Sequence, residues 1–178
     1  MTKRFIIAVI ASTVVALGAY AAASDDSREG RNHFKARLDG FQENPSISTT
    51  GRGKLDLRID DEAERIEYEL SYSNIEGGVA TVAHIHFASR HVNGAVVAFL
   101  CGGGDKPPCP PVSGEVTGVI DPADIIGPAM QGIEPGSFAE FVRAIRAGFT
   151  YANVHSTPRW PGGEIRGQIG DNDDDNDN

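Results

Sequence analysis

Hydrophobic and polar residues alternate along most of this chain from Phe34 onward. Leu55, Leu57 and Ile59 alternate with Asp56, Arg58 and Asp60. After the turn Asp60-Asp61-Glu62-Ala63, the residues Ile66, Tyr68, Leu70 and Tyr72 alternate with Glu67, Glu69 and Ser71. A period of two gives each run one wet face and one buried face, so the pair predicts an antiparallel hairpin. Further strand-like runs cover Phe34–Gln42, Thr81–Ala88, Ala95–Cys101, Gly114–Ile120, Phe149–Ser156 and Glu164–Ile169, and Gly, Asn or Pro punctuates nearly every join. One segment follows a helical period instead. Phe138, Phe141, Val142 and Ile145 recur at helical spacing behind Ser137-Phe138-Ala139-Glu140, which has the form of a capping box, and Gly148 is placed to end the helix in a left-handed conformation. Asp121-Pro122-Ala123-Asp124 predicts one further short helical turn. About eight strands and one amphipathic helix predict a mainly β fold, an antiparallel Greek-key-like sandwich or a flattened barrel.

The ends of the chain follow other rules. Lys3 and Arg4 precede a weakly polar run from Phe5 to Tyr20, and small residues through Ala21-Ala22-Ala23 lead into Ser24-Asp25-Asp26. That order predicts a cleavable secretory signal over 1–23, with Ala23 or Ala21 the last residue removed. The apolar run is shorter than the ~20 residues a bilayer core requires, so no membrane span is expected after cleavage. Residues 24–32 form a polar linker, 33–170 the β domain, and 171–178 an acidic tail without apolar side chains, expected to be disordered. The clustered tail carboxylates could attract calcium weakly, but the glycine turn and bidentate Glu of a calcium loop are missing.

Charge then narrows the function. The 178 residues carry 25 acidic against 16 basic side chains, a formal net charge of -9. A nucleic-acid binder needs a basic face to displace counterions, so that class is excluded. The expected location is secreted or periplasmic, and an extracellular protein or a metal ion is the expected kind of partner. In an oxidising compartment Cys101 and Cys109, the only cysteines, are expected to form a disulfide around a Gly-rich tip rather than a two-thiolate metal site.

The histidines carry the candidate chemistry. In Ala83-His84-Ile85-His86-Phe87 a strand would turn both imidazoles to one face, ~6.5–7 Å apart at the backbone. His155 lies on the alternating run Tyr151, Asn153, His155 and is the third candidate. Three imidazoles and an open position suit copper or zinc. The competing reading makes the three residues an internal hydrogen-bond network. His91 sits in a loop and is at best peripheral. Glu164 and Arg166 share a strand face, where one of them could orient His155 or hold a loop, or both could simply face solvent. No nucleophile elbow or phosphate loop is present, and no catalytic residue is assigned.

These stretches, taken together, resemble the chordin (CHRD) domain family. Leu38-Asp39-Gly40-Phe41-Gln42-Glu43-Asn44-Pro45 is similar to its opening strand with Gln-Glu-x-Pro. Ala83-His84-Ile85-His86 followed by Asn93-Gly94-Ala95-Val96-Val97 is similar to its central pattern, and Tyr151-Ala152-Asn153-Val154-His155-Ser156 with Pro161-Gly162-Gly163-Glu164-Ile165-Arg166-Gly167-Gln168 to its closing signature. Ala88 and Ala95 depart from the usual Gly and Pro, and Cys101–Pro111 resembles an insertion private to this chain. The resemblance implies an extracellular β-rich binding or structural module. A His-x-His and a later His also resemble the copper/zinc superoxide dismutase sandwich, an analogy at the level of fold that would admit redox chemistry.

Overall fold

The computed structural model describes residues 32–171. The expected signal over 1–23, most of the linker and residues 172–178 of the tail lie outside the described residues. The strands are β1 (His33–Asp39), β2 (Arg52–Asp60), β3 (Arg65–Ser73), β4 (Gly78–Phe87), β5 (Ala95–Cys101), β6 (Gly114–Ile120), β7 (Thr150–Pro158), β8 (Trp160–Gln168) and the two-residue β9 (Gly170–Asp171). They form one antiparallel sheet in the order β5-β4-β7-β8-β1-β2-β3-β6, with β9 paired to β1. The sheet curls until its two ends nearly meet. Of the two forms expected, the flattened barrel is the one adopted.

The predicted hairpin forms, with Leu55 opposite Leu70, Leu57 opposite Tyr68 and Ile59 opposite Ile66. β1 stops at Asp39 rather than running on to Gln42. The Asp39 carboxylate accepts hydrogen bonds from the backbone N–H groups of Phe41 and Gln42 and starts a 3-10 turn over Gly40–Gln42. That turn brings Glu43 back against the sheet. Inside the barrel, Leu38, Leu55, Leu57, Leu70, Ile85 and Ile165 are buried in a single apolar core.

The helix α1 (Phe138–Arg146) contributes Phe138, Phe141, Val142 and Ile145 to the same core. Its end follows the sequence: Gly148 has φ +73, its N–H donates to the Ile145 carbonyl, and the Phe149 N–H donates to Ala144. This is the paired bonding of a Schellman stop. Its start does not follow the sequence. Ser137 makes no side-chain capping bond, because its ψ of 75° is not the extended value that aims a hydroxyl at the first turn. Glu140 pairs with Arg143 instead. The short turn expected at Pro122 is present, and there the capping box does form, between Asp121 and Asp124.

Two tyrosines of β3 draw the sheet's ends together. The Tyr68 hydroxyl donates to the Leu100 carbonyl on β5 at 2.7 Å, and Tyr72 donates to Pro110 at 2.5 Å. Each faces a glycine on β6: Tyr68 is paired with Gly118 and Tyr72 with Gly114. A Cβ on Gly118 would lie 2.5 Å from the Tyr68 hydroxyl oxygen, so the phenol crosses β6 only because that residue has no side chain.

Removing the hydroxyl alone in Tyr68→Phe should cost about 1–2 kcal/mol, since it leaves the Leu100 carbonyl without that donor. Gly118→Ala should cost more, because it displaces the whole ring. Urea denaturation of both variants, with unchanged m-values, checks the order.

Candidate metal centre

β4 and β7 pair with His86 opposite Tyr151, His84 opposite Asn153 and Val82 opposite His155. Directly opposed residues of an antiparallel pair point to the same face. Ile85, Ala83, Ala152 and Val154 therefore fill the barrel, while the histidines, Tyr151 and Asn153 line the outer face of the sheet. That outer face is not wet: His84 and His86 are 6% and 9% exposed. Phe99 on β5, opposite His84, meets its ring edge-on at 5.7 Å. The loop from Ala88 to Gly94 and the segment around Pro161 close over the other two rings.

The three sequence-predicted histidines meet at one spot. The rings of His84 and His86 lie 4.4 Å apart between centroids, and those of His84 and His155 4.5 Å. One nitrogen from each falls within 4.8 Å of the others. The second nitrogens of two rings are tied down: His86 Nδ1 is 2.9 Å from the Gly94 carbonyl and His155 Nδ1 is 2.9 Å from the Pro161 carbonyl. A carbonyl only accepts, so in the neutral ring each Nδ1 carries the proton and each Nε2 keeps a free lone pair. Among the described residues, four buried side-chain polar atoms lack any hydrogen-bond partner, and three of them are His84 Nδ1, His86 Nε2 and His155 Nε2. Native interiors rarely leave such atoms unpaired, and three at one place call for an explanation.

This donor set fits a metal ion. Three nitrogens bound to zinc at ~2.1 Å stand ~3.4 Å apart, which the rings reach by small rotations. The remaining histidines stay apart. His33 is on β1, 3.5 Å from the Asp56 carboxylate, and His91 is exposed in a loop with φ +63. A thiolate contribution is excluded, since Cys101 and Cys109 form a disulfide.

Glu164 and Arg166 are buried, not solvated, and their hydrogen bonds go to groups other than His155. The Glu164 carboxylate accepts from Thr49 and Ser156 hydroxyls at 2.7 and 2.5 Å and from the backbone N–H groups of Glu76 and Gly77 at 2.7 and 3.0 Å. It ties two loops to β8. Arg166 donates to Asn93 Oδ1 and the Val92 carbonyl, and its guanidinium lies 3.6 Å from the centre of the Tyr151 ring. His86 stacks on that ring at 4.6 Å and 6°. Both cannot share one face at those distances, so Tyr151 lies between imidazole and guanidinium. Its hydroxyl also accepts from the Gly94 N–H at 3.3 Å. Arg166 and Tyr151 thus hold the loop whose Gly94 carbonyl fixes the His86 ring. Gly94 is required there, because a Cβ would lie 2.1 Å from the Phe87 carbonyl oxygen.

Glu43, Tyr151 and Asn153 border the site without having been singled out as site residues. The alternation Tyr151-x-Asn153-x-His155 carried that signal for two of them; for Glu43, beyond its place in Gln-Glu-x-Pro, nothing local did. The Glu43 carboxylate accepts from Asn153 Nδ2 at 2.6 Å, and burial pushes its pKa up to about 7 against the pull of Arg166 and Asn153. Burial acts oppositely on the imidazoles. It lowers His84 to about 3, helped by the charges His86 and His155 would carry. His86 falls to about 4, chiefly by burial, although its bond to Gly94 resists. His155 is also lowered by burial, against its bond to Pro161. All three rings are therefore neutral, with lone pairs available, at any pH near 7.

A family model described as CHRD domain matches residues 34–169. No curated protein matches the chain, and no solved structure does.

The shifts set a sign for acid sensitivity in the metal-free protein. Below about 6.5 the unfolded chain takes up protons that His84, His86 and the half-buried His155 resist, so stability falls as pH drops toward 4. Glu43 works the other way between about 7 and 4.5, where the folded chain holds a proton that the unfolded chain releases. Three groups outnumber one, so the urea midpoint should decline on acidification. His84→Gln should flatten that decline and Glu43→Gln should steepen it.

Proposed function

The chain belongs to the CHRD domain family, and from that premise we propose that it is an exported β module that binds one transition-metal ion, copper or zinc, between His84, His86 and His155. The observation that carries this reading is that three imidazoles, each with a buried and unpartnered ring nitrogen, place one nitrogen apiece within 4.8 Å of the others. A hydrogen-bond network would set each of these nitrogens against a donor or acceptor. Here two carbonyls fix the far nitrogens and leave the near ones with nothing to bind, which is how ligating histidines are ordinarily oriented. The role proposed is binding, without a catalytic step: the side chains around the cluster hold loops and rings in place.

Export rests on different observations. The basic start, apolar run and small-residue junction at Ala21-Ala22-Ala23 suit a cleaved signal. The Cys101–Cys109 disulfide suits an oxidising compartment. Among the described residues no helix is long and apolar enough to cross a membrane. Removing Lys3 and Arg4 with the signal takes the formal charge from -9 to about -11, a surface potential that draws cations.

Metal analysis after loading with copper or zinc and removal of excess ion should find about one ion per chain. The double variant His84→Ala, His86→Ala should retain none while keeping the far-UV spectrum of the parent. Equal metal content in parent and variant, or none in the loaded parent, defeats the proposal. Intact mass of the exported protein should correspond to a chain beginning at Ser24 or Ala22; an uncut chain in the exported fraction would contradict the signal.

A further inference from the structure

Resting on the metal-site reading above, we infer that the ion this site is built to hold is monovalent copper rather than zinc or another divalent ion. Three features of the surroundings favour the lower charge and the lower coordination number.

The first is the ligand charge. Among the described residues the cluster consists of His84, His86 and His155, and no Asp, Glu or Cys joins it. Neutral imidazoles leave a bound ion its full charge. The cost of burying a charge rises as its square, so a divalent ion pays roughly four times the desolvation of a monovalent one in the same pocket. The second is Arg166. Its guanidinium is permanently charged and is separated from the His86 ring by the thickness of Tyr151. Its repulsion doubles when the ion carries two charges rather than one. No ligand of the site is anionic, and what opposes the charge of Arg166 is the Glu43 carboxyl bordering the site, hydrogen-bonded to Asn153.

The third is room. Zinc in a three-histidine site completes a tetrahedron with water, and that water needs space and hydrogen-bond partners. Here the three free nitrogens are sealed from solvent. Phe99 presents its ring edge to His84, and the Phe99 ring is itself pressed against Gly103 of the disulfide loop, where a Cβ would lie 2.4 Å from Cδ1. Tyr151 covers His86 face-on. Monovalent copper has a filled d shell and is satisfied by two or three nitrogen donors. It needs neither a bound water nor an anionic ligand.

The test is a pair of competition titrations on the exported, disulfide-intact chain. Monovalent copper is titrated without oxygen against bicinchoninate, and zinc against a chromophoric zinc chelator at the same pH. Copper should bind one per chain at least ~100-fold more tightly than zinc, and X-ray absorption should show no more than three nitrogen neighbours. Zinc binding as tight as copper, or a four-coordinate copper site, overturns the inference while leaving the histidine site standing. No binding of either ion defeats the site itself. Arg166→Met should raise zinc affinity relative to copper by several-fold, a ratio that a general loosening of the loop would not move. If that variant fails to fold, Phe99→Ala admits water beside His84 and should shift the same ratio toward zinc. An unchanged ratio in the variant that folds counts against the inference.

Discussion

The pairing of β4 with β7 in one register governs what this molecule can do. With His84 set opposite Asn153 and His86 opposite Tyr151, every second residue on both strands faces away from the barrel. Slipping either strand by one residue would drive the imidazoles into the apolar interior and put Ile85, Ala83 and Val154 outside. The register is secured by those same apolar residues, which are fully buried in the core. The site is thus specified by hydrophobic side chains that never touch it. What they fix is direction, and direction is what separates three scattered histidines from a cluster.

A second layer of order lies on the outer face. A sheet packed on one side only would leave that face in water, yet Glu164, Arg166, Asn153 and the two histidines of β4 are buried there. Polar groups can be buried so only if each finds a partner. Glu164 finds four donors and Arg166 two acceptors and an aromatic ring. Against that background the unpartnered nitrogens of the histidines stand out. The rest of the layer is satisfied, so the exception lies in the site rather than in loose packing.

Much of this was legible in the sequence, and the failures have physical causes. Alternation identified the hairpin and the common face of His84 and His86, because side-chain direction in a strand is set by backbone geometry alone. The helix stop at Gly148 was equally local. Ser137 failed as a cap because its ψ is set by how the chain arrives from Gly136, which no local pattern encodes. Glu164 and Arg166 were read with a solvated face among the alternatives because periodicity reveals which residues share a face and is silent on what covers it. The cover comes from distant segments, Thr49, Glu76-Gly77 and Val92-Asn93, brought in by tertiary contacts. The early starts of β4 at Gly78 and β8 at Trp160 were hidden for a related reason, since glycine and proline there read as breaks.

The tyrosine seam has a consequence for the protein's behaviour among other proteins. An open sheet ends in strands whose free N–H and C=O groups can template pairing with a neighbouring chain. Here β5 and β6 are the ends; the Tyr68 phenol holds a β5 carbonyl across β6, and the Tyr72 phenol holds Pro110 in the loop that joins them. Two vulnerable margins are thereby turned toward each other instead of outward. The chain gains from that closure a defence against being recruited into a neighbour's sheet.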